Sequence, residues 1–165
     1  MSPSSKWGPP IWRFIHCLVE NIKEDQFHVI GLPVFGIIKQ ICKNLPCPDC
    51  SMHATNFLSS VRFQHIKNKN DFVFLMFIFH NSVRKRKNQS IFHENHLAEY
   101  KKCNIHQCFN QFVDAYKTTG DMKMLADTFA REVTVRQVKQ FLLKHRKLFV
   151  IYNPSTVNSR VPLLA

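Results

Sequence analysis

The sequence predicts an all-α fold. Apolar residues recur every three or four positions through most of the chain, and no segment alternates apolar and polar residues convincingly as a half-buried strand does. Prolines and capping residues mark where helices start and stop. With 165 residues the chain suits one domain with room for an appendage. Hydrophobic residues make up 45%, enough for a core in which 15 Phe carry much of the packing.

Taken in order, the first helix is expected from Pro9 and Pro10 to about Ile22, with Ile11, Phe14, Ile15 and Leu18 on one face. A second begins near Pro33, carries Phe35, Ile37, Ile38, Ile41 and Leu45, and stops at Pro46. A third opens on Cys47-Pro48-Asp49-Cys50 and continues through His53, Ala54, Phe57 and Leu58. Val61 to Asn70 reads as a polar, basic loop, and Asp71 as the N-cap of a central fourth helix running from Phe72 to about Lys87. Phe92 to Tyr100 predicts a short fifth helix. Phe109 to Lys117 follows, ending at Thr118-Thr119-Gly120, then Met122 to Arg131 and Val135 to Arg146 with Thr134 capping the second of these. Leu148 to Tyr152 reads as a short strand and Asn153 to Ala165 as a frayed tail. The expected organisation is a domain over 1–100, a helical extension over 101–152 and a flexible tail over 153–165.

The net charge of +12 suits an anionic cofactor, a membrane surface or a nucleic acid. Charge alone reports affinity for polyanions, so nucleic acid is not expected as the main partner. The densest apolar run, Phe72 to Phe79, is far shorter than the roughly 20 residues of a membrane helix. Met1 to Lys6 is short and polar, unlike a secretory signal, so an intracellular protein is expected. In that setting six cysteines point to catalysis or metal binding rather than a disulfide framework.

Cys47 and Cys50 lie one turn apart at a helix start, where exposed amides and the helix dipole favour a thiolate. That arrangement is a redox site or half of a zinc site. Three further segments favour redox chemistry. Trp12 and His16 share one face of the first helix, His53 follows the dithiol by one turn, and His80-Asn81-Ser82-Val83 runs into Arg84-Lys85-Arg86-Lys87. Together they offer an aromatic wall, three histidines, a dithiol and a cluster of cations. A flavin dinucleotide needs that set: stacking for its rings, donors for its polar edges and cations for its pyrophosphate.

On W-G-P-P-x-W-x-x-x-H (Trp7 to His16), the C-x-x-C with its following His (Cys47 to His53) and H-N-x-V (His80 to Val83), the chain resembles the Erv/ALR FAD-linked sulfhydryl oxidases, most of all the short versions of large DNA viruses. The resemblance covers about residues 7–92. It implies a bundle of four helices plus a short fifth, a homodimer, and FAD held noncovalently. It implies FAD contacts from Trp12, His16, His53, His80 and Asn81, with Gly8 and Val83 close by. It places Cys50 against the flavin and Cys47 where incoming thiols exchange. Electrons would pass from protein dithiol substrates, or a thioredoxin-like carrier, through Cys47/Cys50 to FAD and then to oxygen, giving hydrogen peroxide. Host cytoplasm or a virus assembly site is the implied location.

The chain departs from the family pattern where Arg84 stands for the usual Asn after H-N-x-V, and where Lys87-Asn88-Gln89 replaces a Leu-Gly-Lys. Arg84 and Lys87 are expected to meet the cofactor phosphates by charge. Phe77 and Glu94 occupy the positions of a structural disulfide found in many cellular members, so apolar packing must hold that end. Cys103 and Cys108 are the candidate shuttle disulfide of the family; two unpaired thiols, or a metal site with His106, are the competing readings. Cys17 and Cys42 read as buried, inert thiols, and Trp7 as either a core or a cofactor residue. No metal is expected. The rival functions are a zinc-binding module using Cys47, Cys50 and His53, and a basic nucleic-acid-binding module.

Overall fold

The first helix, α1 (Ser4–Glu20), starts a full turn before its prolines in the computed structural model, which describes residues 4–117 and 125–152. Pro9 and Pro10 lack the N–H groups that would bond the carbonyls of Ser5 and Lys6, but both of those residues are exposed to water. Trp7, 4% exposed, anchors the extra turn in the core. The second helix, α2 (Phe27–Lys43), also begins before its expected start at Pro33. The missing Pro33 bond falls on the carbonyl of Val29, on the solvent side, while Phe27, Ile30 and Val34 bury the other face.

The third helix, α3 (Pro48–Ser60), opens on the C-x-x-C as the sequence predicts, with Cys47 at the N-cap and Pro48 in the first turn. The fourth, α4 (Lys69–Arg86), takes Asn68 rather than Asp71 as its cap. The Asn68 carboxamide oxygen accepts the Asp71 N–H at 2.9 Å, and the Asp71 carboxylate accepts the Lys67 N–H at 2.9 Å. This reciprocal pairing draws the helix into the expected loop. A short α5 (Leu97–Tyr100) follows, then α6 (Ile105–Tyr116) and α7 (Leu125–Lys144).

Thr134 does not cap a new helix; it lies inside α7, which is continuous. Its hydroxyl donates to the Ala130 carbonyl at 2.9 Å and accepts from the Asn44 carboxamide at 3.0 Å, tying α7 to the end of α2. The strand expected at Leu148–Tyr152 is reduced to a bridge between Ile22 and Phe149, after a 3₁₀ turn over Arg146–Leu148. The Val150 N–H donates to the Asn21 carbonyl at 2.7 Å. The turn expected at Thr118-Thr119-Gly120, the start of the helix expected from Met122, and the tail lie outside the described residues.

The described residues contain seven α-helices and no strand beyond that bridge, an all-α fold. Helices α1 to α4 pack as a bundle with α5 against α1, and among the described residues the α1–α6 pairing is the most extensive. Two aromatic clusters hold these layers. Phe14 stacks on Phe112 at 4.8 Å, joining α1 to α6. Phe35, Phe63 and Phe72 meet with centroids 4.9–6.1 Å apart, joining α2 to α4. The end that lacks a disulfide staple is held by Phe77 against Phe92 at 6.2 Å and by the Asn81 side chain.

Candidate active site

Cys47 and Cys50 are joined in a disulfide at the mouth of α3. The N-cap conformation of Cys47 turns its sulfur back over the first turn, where it accepts the Cys50 N–H at 3.2 Å. Pro48 donates no hydrogen bond at the helix start, and Pro46 is buried beneath the loop. Asp49 between the cysteines receives Arg86, whose guanidinium nitrogens lie 3.8 Å from its carboxylate and 3.4 Å from its carbonyl. This links the dithiol to the end of α4.

Cys50 lines a cleft together with Trp7, Trp12, Leu45, His53, Phe79, Val83, Arg86 and Lys87. A second cleft adjoins it, lined by Ser4, Ser5, His80, Arg84, Gln89, Phe92 and Tyr100. Gly8, Trp12, Val83 and Lys87 border both, so the two form one trough from the dithiol to the basic end of α4. At Gly8 a Cβ would meet no protein atom within 4 Å.

The trough wall is a stack of rings. Trp12 lies on His80 at 4.1 Å and 11° between planes, and His80 on Phe92 at 4.5 Å. Behind it, His16 stacks on Tyr100 at 4.7 Å and shares a proton with His80, ring nitrogen to ring nitrogen at 3.0 Å. Burial holds both imidazoles neutral, His16 down to about 4 and His80 to about 3, with His16 and Arg84 adding to the effect on His80. A neutral pair keeps one nitrogen as donor and one as acceptor, which fixes both rings. His53 is lowered as well, first by burial and then by Arg86, and its Nε2 lies 3.4 Å from the Ser82 hydroxyl.

The cations sit at the rim. Lys87 spans Trp7 at 5.5 Å from its ring centre, and burial followed by Arg86 lowers its pKa. Arg84 is held by Ser90, with its Nε on the carbonyl and an Nη 3.2 Å from the hydroxyl. An anion laid along the trough would meet both groups.

Of the residues expected from sequence, Gly8, Trp12, Cys50, His53, His80, Val83, Arg84 and Lys87 converge on the trough. His16 stands one layer behind His80. Asn81 does not line the trough: its amide nitrogen donates to the Phe92 carbonyl at 3.0 Å, and its oxygen accepts the Phe92 N–H at 2.8 Å. Cys103 and Cys108 do not line it either. They are buried beside Cys17 on the α6-facing side of α1. Arg86, part of the expected cation run, lines the trough as well, and it is joined there by Phe79, Phe92 and Tyr100, which the sequence motifs do not mark. The i, i+4 series Phe79, Val83, Lys87 on one face of α4 marked part of it; Phe92 and Tyr100 reach it only through the turn after α4.

A flat ring system fits the stacked wall, a polyanion fits the Arg84 and Lys87 rim, and the dithiol closes one end. The residues present therefore suit a dinucleotide carrying a redox ring. Among the described residues no three His, Cys, Asp or Glu side chains are grouped to hold a metal ion. No described helix is long and apolar enough to cross a membrane.

The sequence profile of the Erv1 / Alr family matches residues 9–103. Proteins named FAD-linked sulfhydryl oxidase from African swine fever virus are similar over 95 residues. The Malawi tick isolate and the Kenyan pig isolate are 31% identical, and the Namibian warthog isolate 30%; each comparison covers 58% of this chain and 76% of the viral protein. No solved structure gives a significant match.

Proposed function

The chain belongs to the Erv1/Alr family, and from that premise we propose that it is an FAD-linked thiol oxidase that forms disulfides in protein dithiol substrates. The observation that carries this reading is the place of the Cys47–Cys50 disulfide, at the end of a ring-lined, cation-rimmed trough into which Cys50 faces. Trp12, His80 and Phe92 would hold the rings, and Arg84 and Lys87 the pyrophosphate. FAD, when bound there, would supply the two-electron acceptor for the dithiol, with oxygen as the expected final acceptor and hydrogen peroxide as the expected product.

The half-exposed Cys47 takes the attack of a substrate thiolate. The Cys47–Cys50 bond breaks as the substrate–Cys47 bond forms, and Cys50 leaves as a thiolate. Its position in the first turn of α3 lowers the cost of that charge. A second substrate thiol then displaces Cys47, whose departing thiolate is met by the Cys50 N–H. The substrate leaves oxidised by two electrons, its two protons go to solvent, and the pair is left reduced beside the trough. Trp12 and Phe79 give that end an apolar lining. The homodimer rests on the family resemblance, as does a thioredoxin-like carrier.

The purified protein is expected to show a flavin absorption spectrum and to consume oxygen with dithiothreitol. Cys50→Ala should keep the colour and lose the oxygen consumption. A colourless protein that takes up no added FAD would overturn the proposal.

A further inference from the structure

Helix α3 presents two lined faces. Cys50, His53 and Ala54 line the trough, whereas Ser51, Thr55 and Leu58 fall on another face at i, i+4 and i+7. That face and the end of α2 border two clefts that share Lys43 and so form one groove. Gly36, Lys39 and Gln40 line its far end, and Pro48, Ser51 and Met52 the end beside Cys47. The Ser51 N–H donates to the Cys47 carbonyl at 2.9 Å, and Leu45 lines both groove and trough. The groove therefore reaches the loop that carries the half-exposed Cys47.

The helical extension completes this groove. Asp127 and Arg131, one turn apart on α7, line the end beside Cys47. The Gln40 carboxamide donates to Gln137 at 3.0 Å, and with the Asn44–Thr134 bond it pins α7 to α2. The Ser51 hydroxyl donates to the Lys43 carbonyl, joining α3 to the same helix. The lining is thus set by contacts between the three helices, ahead of any ligand.

Its charge is one-sided. Lys39, Lys43 and Arg131 line the groove, and Asp127 is the one carboxylate among its described lining residues. Lys39 and Lys43 are exposed one turn apart on one face of α2, where like charges repel and a bound anion relieves the repulsion. Arg131 is 2% exposed, so water and salt screen its charge less than theirs. Met52, 59% exposed, adds an apolar contact beside Cys47. None of the three cations lines the trough, so the anion they suit is not the cofactor. Ser51 and Leu58 stand seven residues apart, about 10 Å along α3, which about three extended residues cover.

Resting on the thiol-oxidase reading, we propose that this groove is the substrate docking site and takes a short, extended, acidic segment next to the cysteine that exchanges with Cys47. The substrate class is dithiol proteins whose reactive cysteine is flanked by a run of Glu or Asp. Docking holds the incoming thiol at Cys47 and raises its effective concentration there.

The test reads binding without turnover. Two fluorescein-labelled peptides carry three Glu or three Lys ahead of Ser-Gly-Ser, with serine standing for each cysteine. Their affinity for the full-length protein is measured by fluorescence anisotropy at constant salt. The acidic peptide is expected to bind and the basic one to fail. Lys39→Glu with Lys43→Glu should weaken the acidic peptide by about tenfold. Arg146→Glu with Lys147→Glu makes the same charge change on an exposed turn outside the groove and should leave that affinity unchanged. All four side chains are exposed, so both variants keep the core. No binding of the acidic peptide, equal affinity for both peptides, or equal losses in the two double variants overturns the proposal. Oxygen consumption with dithiothreitol is measured on the same wild-type protein. Its absence counts against the oxidase reading, whatever the peptides do, so the two failures are told apart.

Discussion

Asn81→Ala separates two roles that the resemblance and the structure assign to one side chain. The family pattern makes Asn81 a cofactor contact. The structure engages both ends of its carboxamide with the Phe92 backbone, at 3.0 and 2.8 Å. Each such bond contributes about 1 kcal/mol net, so the pair contributes about 2 kcal/mol. Removing the side chain leaves a partly buried N–H and C=O in search of water and frees Phe92 from its 4.5 Å stack on His80. For a chain of this size, about 2 kcal/mol corresponds to roughly 4–8 °C in melting temperature. The assay is thermal and urea unfolding of the FAD-free protein, with FAD affinity measured in parallel from flavin fluorescence. The expected result is lower stability without FAD, together with weaker binding because the Phe92 wall has loosened. Unchanged FAD-free stability with a large loss of affinity would refute the reasoning and make Asn81 a direct ligand.

Two further outcomes follow from packing and burial. His16 and His80 are held neutral in the fold, down to about 4 and about 3, whereas in the unfolded chain they titrate near 6.5. The unfolded chain therefore gains protons first as pH falls. Stability is full above about pH 7 and declines toward about pH 4, by up to about 1.4 kcal/mol per pH unit for each ring. Urea midpoints across that range should show the decline, and His80→Phe should flatten it; an equal slope in the variant contradicts the assignment. Phe112→Ala, at a site with no exposure and stacked on Phe14, should cost about 3–5 kcal/mol. Chemical denaturation should show that loss in one transition; a separate, weaker transition for the extension would mean that α6 is not part of the bundle core.

The helix starts show how far local signals reach. The prolines of α1 and α2 were good evidence for helices and poor evidence for their first residues. A proline ends a helix only where the lost bond cannot be replaced, and on an exposed side water replaces it. Thr134 misled for the opposite reason. Its hydroxyl serves a neighbour on α2 and its own helix, and neither partner is visible from adjacent sequence. The departures at Phe77 and Glu94 were legible as a missing staple, but the replacement, Phe77 and the Asn81 clasp on Phe92, involves residues up to fifteen positions apart.

Helical periodicity, the cysteine pair at the head of α3, and the gathering of rings and cations on α1 and α4 were determined by the sequence alone. Each depends on residues within a turn or two of one another, where spacing dictates the face. The tertiary structure decided which of those side chains face the trough and which support it. It set His16 behind His80, turned Asn81 to the backbone, and brought Phe92 and Tyr100 into the wall. It also set the Cys17 thiol on the Cys103 carbonyl at 3.8 Å. Those contacts join segments up to eighty-six residues apart, and only the packing of one helix on another specifies them.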